Sequence, residues 1–335
     1  MFSKKSRYLV LLLIIGLLVV GASACKKQAG GGKDVQKIVV AYSSIVDLGD
    51  VPSLLAWETL RSKGIEVVPK FMTSGELAIE AVMRGDAHIG NSGVSAVNIA
   101  QIKGADLKVF VLQTRVDWAL IGRGDVKKLS DLDGKKLAQH SPQSDSKAWT
   151  DVALKERAPN VKPQEMIIPG SENRAEALLR AAIDASPVEL ADVVNLEAQQ
   201  PGNFNILVSF AEELKGMQYS PFFASAKFLK DNKAAAKAMI EALLQVHRRI
   251  ADDPNFLKEQ APKYLPNYDP ALLPKALELY RHYEIWPVNG GLELDGQKWT
   301  TEFFIRGGKL PEGTKWEPLY DRVLLDEVLK SVGSK

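Results

Sequence analysis

Hydrophobic and polar positions along this chain follow two rhythms. Residues 37–42 (KIVVAY) form a short apolar, β-branched run, 53–63 carry apolar side chains at helical spacing, and 65–71 (IEVVPKF) return to the strand pattern. That succession is the mark of a β–α–β unit. Thr73, with Glu76 three positions on, offers a capping box for a helix through Arg84. A brief strand at 88–90, a helix over 94–103 and a strand over 107–113 follow. Alternating elements with short connections predict an α/β sheet covered on both faces.

A second series begins at Trp118. It has a strand over 118–123 (WALIGR), a turn across 127–133, a strand at 136–139, a helix over 146–157, then strand, helix and strand at 166–168, 173–181 and 185–190. The two series echo one another: 74–89 align without gaps on 170–185, matching Glu76 with Glu172, Glu80 with Glu176, Ala81 with Ala177 and Arg84 with Arg180. Each lobe therefore has a helix of the same pattern running into a strand. From 225 to 329 the pattern is mainly helical, with apolar spacing in 234–250, 270–283 and 319–332. No long linker sets this part off, so it is expected to pack back on the first lobe, with 118–123 and 216–224 as the two crossings.

The opening of the chain reads differently. Lys4, Lys5 and Arg7 precede an uninterrupted apolar stretch of 17 residues, 8–24, which ends in Gly21-Ala22-Ser23-Ala24 before Cys25. This is the plan of a secretory signal peptide, short for a membrane span and without a charged stop. The site around Cys25 resembles the lipobox of bacterial lipoproteins, in which the cysteine is lipidated and becomes the mature N-terminus. Residues 26–34, with Gly30-Gly31-Gly32, read as a polar tether. No later stretch approaches 18 apolar residues, and the roughly 300 that remain exceed one ordinary core, which suggests two lobes.

At 46% hydrophobic and 25% charged the 335-residue composition is that of a globular protein. Three of its 43 basic residues and none of its 41 acidic ones precede Cys25, so the body carries a net charge of −1. Such a body lacks the basic field of nucleic-acid binders, and none is expected as a partner. Cys25 is the only cysteine, so no internal disulfide forms. His88, His140, His247 and His282 fit no metal spacing. No G-x-S-x-G elbow surrounds a serine, and no G-K-[ST] follows Gly90-Asn91-Ser92-Gly93 or Pro169-Gly170-Ser171. His140 and the polar run Ser141 to Ser146 read as a strand-to-helix loop. Ser43-Ser44, Ser74-Gly75, Asn91-Ser92-Gly93, Ser144-Asp145-Ser146 and Ser171-Glu172 all lie where a strand hands over to a helix. Ligands of open α/β sheets bind at that edge.

On KIVVAYSS, EAVMRGDAHIGNSGVSAV, GADLKVFVL, LSDLDGKKLA and ALLRAAIDASPVEL the chain resembles the substrate-binding proteins of bacterial ABC importers. The similar branch takes nitrate, sulfonates such as taurine, and thiamine pyrimidine precursors. His88 stands where that family often has Asp and Ala181 where it often has Gly. The resemblance implies a periplasmic-binding-protein-like fold of two α/β lobes joined by a two-strand hinge. It divides the chain into a signal peptide (1–24), lipidated tether (25–35), first part of lobe 1 (36–120), lobe 2 (121–218) and a return to lobe 1 (219–335). It implies no catalysis, cofactor or metal, a monomer lipid-anchored at Cys25 outside the cytoplasm, a small solute in the interlobe cleft, and a permease with its ATPase as partners. Family position suggests Ser43, Ser44, Ser74, Asn91 and Ser92 from the first lobe and Ser144, Glu172, Pro187 and Glu189 from the second. Trp118 supplies either an aromatic wall or a buried structural ring. Two alternatives on the same fold are a ligand-sensing lipoprotein and a thiamine-pyrimidine-forming enzyme, whose cysteine-rich motif this chain lacks. Asp145 and Glu172 are expected to complement helix N-termini, whereas Glu189 is expected to accept from a nitrogen. That favours a zwitterionic or nitrogen-containing solute, such as an amino-sulfonate or a pyrimidine, over a bare anion.

Overall fold

The computed structural model describes residues 36–335; the expected signal peptide, Cys25 and the tether lie outside them. In chain order the elements are β1 (Lys37–Tyr42), α1 (Val51–Leu60), β2 (Glu66–Phe71), α2 (Gly75–Arg84), β3 (Ile89–Asn91), α3 (Val94–Ile102) and β4 (Leu107–Thr114). Next come β5 (Trp118–Arg123), β6 (Lys136–Gln139), α4 (Asp145–Arg157), β7 (Gln164–Ile167), α5 (Ser171–Leu179), β8 (Ala185–Glu189), α6 (Leu190–Gln199), β9 (Phe204–Ser209) and α7 (Phe210–Glu213). The chain closes with β10 (Ser220–Ser225), α8 (Ala226–Asp231), α9 (Lys233–Asp252), α10 (Pro254–Gln260), α11 (Leu273–His282), α12 (Leu294–Arg306) and α13 (Val323–Val332).

The strands make two five-stranded mixed sheets of one design, ordered β2-β1-β3-β10-β4 and β7-β6-β8-β5-β9. In each, the first three strands are parallel and the fourth, the strand arriving from the other lobe, is antiparallel to both neighbours. Near-continuous burial along β4, β5 and β8 fits strands covered on both faces. Gly90 lets β3 lie against β10, since a β-carbon there would stand 2.2 Å from the Phe223 ring. The apolar α1 is buried on nearly every face and packs on α9, with α13 beyond it.

Several expectations shift. The N-cap of α2 is Ser74, whose hydroxyl accepts from Leu77 N at 3.4 Å, in place of Thr73; Glu76 instead accepts from Ser141 Oγ at 3.1 Å. The outward crossing is residues 115–117, because 118–123 already pair within the second sheet. The stretch 190–218 holds α6, β9 and α7, which the pattern does not announce: α6 follows β8 with no turn residue between them. The helix α12 escapes a hydrophobic reading because the first part of its buried face, Gln297, Thr300 and Thr301, is polar, with Phe303 and Phe304 following only at its end. Gln297 donates to Leu292 O at 3.0 Å, Thr301 to Gln297 O at 3.0 Å, and Thr300 Oγ1 accepts from Gln218 N at 2.9 Å. Nor do the C-terminal helices all return to the first sheet, for α11 packs on α6 of the second.

Candidate functional site

The carboxyl ends of β1, β3, β6 and β8 meet the two crossings around a cavity of about 60 Å³. Of the residues singled out from the sequence, Ser43, Ser44, Asn91 and Ser92 line it from the first lobe and Ser144 and Glu189 from the second, with Trp118 at the crossing. Three do not. Ser74 is spent capping α2, Glu172 is exposed on the first turn of α5, and Pro187 is buried within β8, its carbonyl accepting from Arg174 Nε at 3.0 Å. Asn91 is held by Ser220 Oγ (3.1 Å) and Pro221 O (3.2 Å).

The dominant chemistry of the cleft is acidic. Asp47, Asp50, Glu76, Asp117, Asp145 and Glu189 line it, and no Lys or Arg among the described residues does. The loop after β1 folds on itself, Asp50 N donating to Asp47 Oδ1 at 3.0 Å and Asp47 N to Asp50 Oδ2 at 3.3 Å. Gln113 donates to Asp50, and Tyr280 donates to Asp117 Oδ2 at 2.8 Å. A β-carbon on Gly49 would stand 3.1 Å from Asp47 Oδ1 and 3.5 Å from Asp117 Oδ2, so glycine leaves room for both carboxyls. Asp47 and Glu189, from opposite lobes, line the same cavity, and the charge of Asp47 adds to the burial that raises Glu189.

Burial pushes Asp47, Asp50, Asp117, Asp145 and Glu189 up. Asp47 rises to about 6, and Asp117 to about 8 with the charge of Asp47 adding to burial. Asp50 and Glu189 are raised for the same two reasons. Asp145 is raised to about 7 by burial, against the hydrogen bonds it receives at the start of α3: Ser95 N donates to its Oδ1 at 3.0 Å and Ser95 Oγ donates as well. His140 is pushed down to about 4 by burial and by Arg174, and its Nδ1 accepts from Gly170 N at 3.1 Å.

Sequence reasoning missed Asp47, Asp50 and Asp117 and read His140 as loop, yet a signal existed. The first two follow Ser43-Ser44 in the same β1 loop, and Asp117 precedes Trp118 at the crossing. The Trp118 ring is buried, meets Tyr219 edge-on at 6.4 Å, and carries the Arg174 guanidinium 5.4 Å from its centroid. Arg174 itself is fully buried and donates to the carbonyls of Pro187, Ile168 (2.9 Å) and Gly170 (2.8 Å). Where the resembling family often has Asp, His88 Nδ1 accepts from Val39 N at 2.9 Å, as a carboxylate oxygen would. Ala181, where that family often has Gly, takes φ 55°, in the left-handed region.

Two mixed α/β sheets with a polar cleft at their crossings are the architecture of periplasmic solute-binding proteins of the ABC-import type. The chain belongs to the NMT1/THI5-like family, whose model matches residues 60–256. A solved protein from Bordetella bronchiseptica RB50 superposes with a TM-score of 0.75 at 19% identity, covering 89% of this chain and 98% of that one. The alkanesulfonate-binding protein SsuA from Xanthomonas axonopodis pv. citri, bound to MOPS, gives 0.69 at 17% identity over 87% and 100%. The periplasmic nitrate-binding protein NrtA from Synechocystis PCC 6803 gives 0.68 at 13% identity over 89% and 89%. No curated protein matches the chain in sequence. SsuA and NrtA are binding proteins, and at such identities the likeness concerns the fold.

Proposed function

We propose that this protein is the extracytoplasmic solute-binding component of an ABC importer, held to the membrane by lipid on Cys25, which captures a small polar solute between its lobes and delivers it to a permease. The observation that carries the reading is the cleft itself: polar, buried, and lined by both lobes, the larger share from the first and the crossings and the rest from 140–146 and Glu189 of the second. At about 60 Å³ it is well below the roughly 150 Å³ that takes a benzene, so a solute of any size enters as the lobes part. A ligand bridging both lobes binds the closed arrangement better and shifts the population toward it. Glu189 lies among acids with no Lys or Arg lining the cavity, which favours a nitrogen-bearing solute over nitrate or a plain sulfonate.

A thermal-shift screen of sulfonates, nitrate, carboxylates, pyrimidines and amines, followed by small-angle scattering, tests this. At about 100 times its Kd a solute should add roughly 2.7 kcal/mol of stability and compact the protein. Stabilisation without a change in shape would count against lobe closure. Cys25→Ser should move the protein from membranes to the soluble fraction; unchanged retention would refute the lipid anchor.

A further inference from the structure

A second cavity, of about 290 Å³, adjoins the cleft and shares Ser44, Asp47 and Glu189 with it. Its outer wall carries Glu172 and Asp192, and like the inner cavity it has no Lys or Arg in its lining. Carboxyls thus run in sequence from Glu172 and Asp192 outside, through the Asp47–Glu189 pair, to Asp117 and Asp50 inside. Among the described residues no three acidic, His or Cys groups converge to hold a metal ion.

The inner cavity also holds unmet hydrogen-bonding capacity. Gln113 Oε1 and Asp145 Oδ2 are buried acceptors without a partner, on residues each 2% exposed. Such groups ask for donors. Of the buried side-chain donors at the cleft that would recognise an anion, only Trp118 Nε1 in the lining and Arg174 Nη2 behind it lack a partner among the described residues. The Asp145 carboxylate sits on the N-terminus of α3, where an anionic ligand would sit, and Val94 N donates to Tyr219 O. Arg174 gives its Nε and Nη1 to three carbonyls behind Trp118.

We infer that the solute is an aliphatic di- or polyamine, lying with one ammonium in the inner cavity and the next in the outer one, astride the Asp47–Glu189 pair. The inference rests on the reading of the cleft as a solute site. The groups facing that pair are Asp50 from the same loop, Asp117 at the crossing, Glu172 from α5 and Asp192 from α6, with Tyr219 and Tyr280 alongside. Arg174 interacts with Glu189 from behind Trp118. Without solute, protons hold these acids together. An ammonium beside Asp47 and Glu189 favours their charged forms, and the proton that burial keeps on Glu189 passes to the buffer.

Titration calorimetry of the protein at pH 7.5, in two buffers of different ionisation enthalpy, tests this with putrescine, spermidine, butylammonium, taurine and nitrate. Putrescine or spermidine should bind with release of protons, and butylammonium, with one charge, at least about tenfold more weakly. Asp192→Asn, confined to the outer cavity, should weaken putrescine about tenfold and leave butylammonium unchanged. Glu189→Gln should weaken both while leaving the unliganded protein at least as heat-stable, since it removes a buried acid among like charges. Equal binding of butylammonium and putrescine, or binding of neither, overturns the inference. If taurine or nitrate binds and compacts the protein while the amines do not, the amine class falls and solute capture stands. If putrescine binds without compaction, the amine site stands and lobe closure falls.

Discussion

The junctions β3–α3 and β8–α6 occupy equivalent places in the two lobes, yet one carries Gly93 and the other Glu189 at the N-cap. Their backbones are alike, φ −54° and ψ 136° against φ −70° and ψ 154°. At Gly93 a β-carbon would stand 2.8 Å from Asp145 Cγ, so the missing side chain admits the other lobe's carboxyl onto α3. At Glu189 the lobe supplies its own carboxyl to the cleft. The echo continues along α2 and α5. Both carry an exposed i,i+4 ion pair, Glu80–Arg84 and Glu176–Arg180. Val39 N donates to His88 Nδ1 at 2.9 Å just as Lys136 N donates to Asp184 Oδ2 at 2.8 Å. The inner faces part company: Ala78 of α2 is matched by Arg174 of α5. Duplicated backbones thus keep their structural hydrogen bonds and diverge where side chains reach the cleft.

The largest test of that divergence is Arg174→Met. It removes the guanidinium from the buried carbonyls of Ile168, Gly170 and Pro187, of which Gly170 O keeps Arg174 N and Pro187 O keeps Ser186 Oγ, and should cost about 3 kcal/mol in chemical denaturation. A loss under about 1 kcal/mol would mean that water or a rearranged strand satisfies them. Next is Gly93→Ala, whose β-carbon must push Asp145 away. It should cost about 1–3 kcal/mol and enlarge the protein in small-angle scattering by loosening the lobes. An unchanged scattering profile would show that Asp145 yields without moving its lobe.

Proton linkage should produce a smaller change. Asp47, Asp145 and Asp117 titrate near 6, 7 and 8 in the fold against 3.8 ordinarily, so their contribution to stability is present at low pH and lost as pH rises through those values. His140 and His247, held down to about 4 by burial, act oppositely: their contribution is lost as pH falls from about 6.5 through 4. The raised acids outweigh the two histidines, so the unliganded protein should lose heat stability as pH rises, with its Tm about 2–4 °C lower at pH 8.5 than at pH 6. A Tm that climbs steadily to pH 8.5 would contradict the buried acids. The smallest change is Ala181→Gly. Its counterpart at the end of α2, Gly85, takes φ 79° without strain, so relieving Ala181 at φ 55° should raise stability by about 0.4–1 kcal/mol in thermal unfolding. A loss on that substitution would mean that the Ala181 methyl is held by packing.

The sequence by itself determined the alternation of strands and helices, the helix echo between lobes, and the serine- and glycine-bearing junctions at the strand ends. Local spacing and capping chemistry carry that information. It pointed to Glu189 because no helix-capping role explained that carboxyl, and it passed over Asp47, Asp50 and Asp117 because a lone acid in a loop reads as solvated. Only the tertiary structure decided that these acids come from three separated segments to share one buried space, that Ser74, Glu172 and Pro187 stand outside the inner cavity, and that Asp145 of one lobe caps a helix of the other. The reason is physical. Burial and charge proximity depend on which crossings bring distant segments together, and no local pattern records the distance between Asp47 and Glu189.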